Sequence, residues 1–127
     1  WWFKTNFQNR SKDGLYLFKY IRTRFFSMII YNVTVKIDHD IHSDWLNWMR
    51  QVHIPEVLET GHFIGHQIAR VLVDEEDGVT YSIQYKCQSM QELDTYQNTH
   101  APRLQKDHLD IYRDKFVAFR TLLEIVD

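Results

Sequence analysis

The chain has 127 residues, 44% of them hydrophobic, 25% charged and 15% aromatic, the proportions of one soluble globular domain with a ring-rich core. Its net charge of −2 is unevenly spread: residues 1–27 carry +5, leaving −7 on the rest. An acidic folding unit argues against nucleic acid as a partner, because that affinity comes mainly from neutralising phosphates. No apolar run approaches the ~20 residues of a membrane-spanning helix.

Residues 1–27 hold Lys4, Arg10, Lys12, Lys19, Arg22 and Arg24 against Asp13 and show little periodicity, so they are expected to be an N-terminal extension, either poorly ordered or upstream of a natural start at Met28. A signal peptide fits poorly, since the uncharged run from Phe25 to Val35 is β-branched and lacks a small-residue cleavage site. Residues 28–127 are expected to form the folding unit.

Met28–Ile37 alternates Ile29, Tyr31, Val33, Val35 and Ile37 with Ile30, Asn32, Thr34 and Lys36, the period of a strand. Asp40 or Ser43 can cap a helix in which Trp45, Trp48, Met49 and Val52 share a face. Pro55 is expected to kink that helix or start a short turn to Glu59, closed by Thr60-Gly61. A second strand is predicted over 63–73, followed by an acidic hairpin tip, Asp74 to Gly78.

Gly78–Cys87 then alternates Val79, Tyr81, Ile83, Tyr85 and Cys87 with Thr80, Ser82, Gln84 and Lys86. Ser89 and Glu92 have capping-box spacing and open a second helix turning Leu93, Tyr96 and His100 inward. Ala101-Pro102 interrupts it before Leu104, His108, Ile111 and Tyr112 resume the pattern. The last strand, 116–126, is apolar on both phases, so alternation alone leaves its facing open.

Strand, helix, strand, strand, helix, strand with right-handed crossovers is the ferredoxin-like βαββαβ arrangement: a four-stranded antiparallel sheet with both helices on one face. The uncovered face presents Asn32, Thr34, Ser82 and Gln84, with either Arg120 and Leu122 or Phe119, Thr121 and Leu123 beside them. Such a mixed surface suits a second copy, so a homodimer with a small-molecule cavity is expected. Asn32, Thr34, Ser82, Gln84 and Arg120 are its candidate ligand-binding residues.

Chemistry-bearing motifs are sparse. His62 and His66 have a helical chelating interval, but on a strand four residues span ~13 Å, too far to share an ion. His39 and His42 lie among Asp38, Asp40 and Asp44 without a recognised metal-binding order, so no metal is expected. Without a phosphate loop, a G-x-S-x-G elbow or a CxxC, no cofactor is expected. The single Cys87 reads as a buried thiol, compatible with a reducing cytoplasm. His53, beside Pro55, is the candidate acid or base, weighed against a histidine capping the last carbonyls of its helix.

Met28-Ile-Ile-Tyr-Asn-Val-Thr-Val35, His53-Ile-Pro-Glu-Val-Leu58, Gly78-Val-Thr-Tyr-Ser-Ile-Gln-Tyr85, Ala101-Pro-x-Leu104 and Val117-Ala-Phe-Arg-Thr121 together resemble the small bacterial DUF4286 family. The resemblance runs from Met28 to the C-terminus and implies no assigned activity. More distantly, the layout is similar to dimeric α/β-barrel proteins, including cofactor-independent monooxygenases and muconolactone-isomerase-like enzymes. Three functions follow as expectations. The first is a homodimeric small-molecule-binding domain. The second is a cofactor-independent barrel enzyme (monooxygenase, isomerase or lyase) with His53 at its pocket, and the third a structural interaction module.

Overall fold

The computed structural model describes residues 27–127; the basic segment 1–26, read above as part of an extension, lies outside the described residues. In chain order the elements are β1 (Ile29–Asp38), α1 (His42–Trp48), a π-helical turn (Met49–His53), α2 (Ile54–Glu59), β2 (Gly65–Arg70), β3 (Gly78–Cys87), α3 (Met90–Thr99), α4 (Ala101–Tyr112) and β4 (Phe116–Glu124). The strands form one antiparallel sheet in the order β2-β3-β1-β4, the ferredoxin-like arrangement that the sequence predicts.

Alternation sets the two faces. Ile29, Tyr31, Val35 and Ile37 of β1 and Val79, Tyr81, Ile83, Tyr85 and Cys87 of β3 are buried in one core with Trp45, Met49, Ile54, Val57, Leu93 and Leu104 from the helices. The Cys87 thiol donates to Ile29 O at 3.5 Å, and burial raises its pKa to about 11. Gly78 is required by a close approach: a Cβ there would lie 2.8 Å from Lys36 Cε and 3.0 Å from Ile37 O. Lys36 in turn pairs with Asp77 at 3.0 Å and Glu75 at 3.7 Å, tying down the acidic tip.

At its proline the first helix passes through a π-helical turn into the short α2, which ends at Glu59 as the sequence predicts. Pro55 has no N–H to give the helical ladder, and the Ile54 N–H bonds to Met49 O, five residues back, forming the π-helical turn. That turn inserts one residue and rotates the inward face. Val52, expected inside, is therefore 40% exposed, while Ile54 and Val57 take the buried positions. Neither Asp40 nor Ser43 caps α1, whose N-cap is Ile41 and lacks a side-chain bond.

Gly61 closes α2 with φ of 82°, a left-handed conformation that glycine adopts without strain. Ser89 does cap α3, accepting from the Glu92 N–H at 3.3 Å. Glu92 meets His62 at 2.7 Å. Within α4 the buried positions are Ala101, Leu104, His108 and Tyr112, three or four apart, and Ile111 lies outside at 55% exposure. β2 and β4 are shorter than predicted, though Val71 N still bonds Thr80 O and Ile125 N bonds Met28 O.

Candidate functional site

Between the helices and the sheet lies a cavity of about 240 Å3. Its floor is made by small side chains at the middle of two adjacent strands, Val33 and Val35 of β1 and Ala118 of β4, which are paired by register (Val35 opposite Ala118). Tyr31, Tyr85 and Tyr96 bound it on one side; His53, His108 and Phe116 bound it on the other. Met49, Val57 and Leu104 come from the helices above, and exposed Gln105 and Leu109 mark where it meets solvent. Small residues in the floor and rings at the walls explain why a space remains.

The polar groups converge from three elements. Arg120, opposite Val33, faces the helices; its Nε donates to Tyr31 Oη at 2.9 Å. Among the described residues no carboxylate pairs with its guanidinium. His53 stacks on Trp48 with ring centroids 5.0 Å apart, and its buried Nδ1 has no hydrogen-bond partner among the described residues. It caps no helix end, because the helix continues past it.

His108 accepts from the Trp45 indole N–H at 2.8 Å through Nε2 and stands edge-on to Phe116 at 4.1 Å. Burial, first of all, lowers both histidines to a pKa of about 4; the Arg120 charge acts in the same direction on each. Both are therefore neutral at pH 7. Desolvation raises the Tyr85 and Tyr96 phenols well above their usual range, so these rings stay protonated.

The five residues that the sequence nominates as ligand-binding divide between the two faces of the sheet. Asn32, Thr34, Ser82 and Gln84 are on the uncovered face, in one chain of side-chain hydrogen bonds. Gln67 donates to Gln84 at 3.1 Å, Gln84 to Ser82 at 3.3 Å, Ser82 to Asn32 at 2.5 Å and Asn32 to Thr34 at 3.0 Å. Arg120 is on the opposite face, inside the cavity with His53, so the structure does not bring it together with the other four. Beside the polar chain β4 presents Val117, Phe119 and Leu123, exposed by 70, 60 and 42%. A more open groove of about 340 Å3 among Ile30, His66, Gln67, Gln84 and Lys86 lies along the β2 side of the sheet.

His108 and Tyr31 were not nominated from the sequence. Their signal was present: a histidine at an inward helical position, and a tyrosine on the core row of β1 whose hydroxyl needs a partner when buried. Among the described residues no cluster of three metal-ligating side chains occurs, and no helix is long and apolar enough to cross a membrane.

Residues 28–126 match the profile of a domain of unknown function, DUF4286. No curated protein matches the chain. Solved structures share the fold at low identity. An EthD-like protein from Ralstonia eutropha is 16% identical with a TM-score of 0.60, over 81% of this chain and 96% of that one. A Nitrosomonas europaea protein provisionally named an antibiotic biosynthesis monooxygenase is 9% identical with a TM-score of 0.61, over 79% and 91%. A protein from an uncultured marine organism, described as a dimeric ferredoxin-like protein, is 11% identical with a TM-score of 0.53, over 80% and 97%.

Proposed function

The chain belongs to the DUF4286 family, and from that premise we propose that it is a homodimeric small-molecule-binding domain whose ligand chamber is the space between helices and sheet in each protomer. The cavity of about 240 Å3, walled by rings and carrying Arg120 and an unpartnered His53 Nδ1, is the observation that supports this reading. Apolar walls with a few convergent polar groups are the usual makeup of a ligand site.

In this reading the second copy covers the open face. Four strands about 4.8 Å apart, of ten, six, ten and nine residues at about 3.3 Å per residue, make a face of roughly 550 Å2 in projection. That is comparable with the ~800 Å2 of accessible surface that each partner gives to a stable interface. Val117, Phe119 and Leu123 supply its apolar part, and the chain from Gln67 to Thr34 supplies a polar part already hydrogen-bonded within the protomer. Asn32, Thr34, Ser82 and Gln84 then belong to the interface and to any space left between the sheets. The dimeric ferredoxin-like neighbour lends support by analogy of fold. A cytoplasmic setting fits the buried, reduced thiol.

A second reading, a cofactor-independent barrel enzyme, draws on one feature: His53 is neutral at pH 7 and faces the chamber, as a general base must.

Filling the chamber tests the binding reading. Ala118→Leu adds three carbons to its floor. Protein purified from its own cells is expected to release an enriched small molecule on denaturation, and the folded variant is expected to release none. Identical extracts from the two proteins contradict the proposal.

A further inference from the structure

We infer that the chamber selects a small monoanion, a carboxylic acid with a flat, largely apolar body, whose carboxylate meets the Arg120 guanidinium. The inference rests on the reading of the cavity as a ligand site and narrows it to a chemical class.

Charge is the first ground. Among the described residues Arg120 is the one Lys, Arg, Asp or Glu on the chamber wall. Its Nε is engaged by Tyr31, which holds the planar fork in place, and no carboxylate among the described residues neutralises it. Arg120 is half-buried beside apolar walls, and an anion arriving with its own two oxygens supplies a partner in a bidentate geometry.

The neighbours do not supply a second charge. His108 is held neutral by geometry: its Nε2 accepts from the Trp45 N–H at 2.8 Å and so carries no proton. His53, 5.8 Å from His108 between ring centroids, is unpartnered at Nδ1. The chamber therefore bears a single positive charge, matched by one carboxylate and over-matched by a phosphate dianion.

Shape is the second ground. At protein packing density a space of 240 Å3 holds about a dozen non-hydrogen atoms. Tyr31, Tyr96 and Phe116 present rings to it, surfaces that suit a planar or short branched body. A donor on the ligand's far end can bond to His53.

Matched acid–amide pairs on the full chain test this: phenylacetate against phenylacetamide, and 4-hydroxybenzoate against 4-hydroxybenzamide, titrated at pH 7 by NMR. Each acid is expected to bind at least about tenfold tighter than its amide, with shifts at His53, His108 and Ala118. The preference is expected to vanish in Arg120→Gln and to narrow in Tyr31→Phe, which keeps the charge but releases the fork from its hydrogen bond. Should Arg120→Gln fail to fold, Arg120→Lys serves: a point charge without the fork is expected to narrow the preference without abolishing it. Equal binding of acid and amide overturns the inference and leaves the chamber reading standing. A preference unchanged in the Arg120 variants also overturns it. No shift at chamber residues with either member, up to millimolar concentration, overturns both.

Discussion

Trp45 and His108, 63 positions apart in the chain, are joined by a hydrogen bond of 2.8 Å between the indole N–H and Nε2 of the imidazole. Indole only donates, so the bond fixes His108 as the tautomer protonated at Nδ1. It also ties α1 to α4 across the roof of the chamber. His108→Leu leaves a buried N–H unpaired and is expected to cost about 1–3 kcal/mol in urea unfolding. In a double-mutant cycle with Trp45→Phe, the two losses are expected to fall short of additivity by about 1 kcal/mol or more. Strict additivity contradicts the bond.

Acid is expected to weaken the fold over a defined window. His53 and His108 titrate near 6.5 when unfolded and at about 4 when folded, lowered mainly by desolvation. Between those values the unfolded chain binds more protons, so stability rises with pH. It is complete above about pH 6.5 and is lost as pH falls toward 4, at up to about 1.4 kcal/mol per pH unit for each histidine. Urea unfolding at pH 7.5, 6 and 5 measures this slope, and His108→Gln is expected to reduce it. A flat profile from pH 7 to 5 contradicts the assignment.

Gly78 of β3 packs against Lys36 and Ile37 of β1. Gly78→Ala forces a methyl toward Lys36 and the Ile37 carbonyl; the lysine can move, but the backbone oxygen cannot move cheaply. The expected loss is about 1–2 kcal/mol, read by thermal or urea unfolding. Unchanged or raised stability contradicts the packing described.

Phe119 is the largest apolar side chain on the open face. Phe119→Asp places a charge in the apolar, β4 part of the proposed interface and is expected to give a monomer of 15.5 kDa by light scattering, with native circular dichroism. Because association stabilises the protomer by mass action, the variant's melting temperature is also expected to lose its dependence on concentration. A variant still twice that mass removes the open face as the interface.

Much of the fold was legible because β1 and β3 alternate cleanly, polar against apolar. The phase of β4 was not, since Phe116, Ala118 and Leu122 on one row and Val117, Phe119 and Leu123 on the other are equally apolar. Pairing decides it: Leu122 lies opposite Tyr31 and Arg120 opposite Val33, both core positions. Arg120 thus joins His53, and the four polar residues nominated with it stay on the other side of the sheet.

The inward face of the first helix departs from the sequence period by one residue for a local reason. A strict 3.6-residue period puts Val52 inward; the π-helical turn before Pro55 shifts the face to Ile54 and Val57. The chamber floor, by contrast, was written in the sequence as two valines and an alanine at mid-strand. Only the register showed that they meet.

Native mass spectrometry of the protein purified from its own cells tests the central claim most directly, because it weighs the assembly and its contents together. The account predicts two chains, with one small molecule of extra mass per chain that collisional activation strips away. A single chain at 15.5 kDa with nothing bound would contradict it.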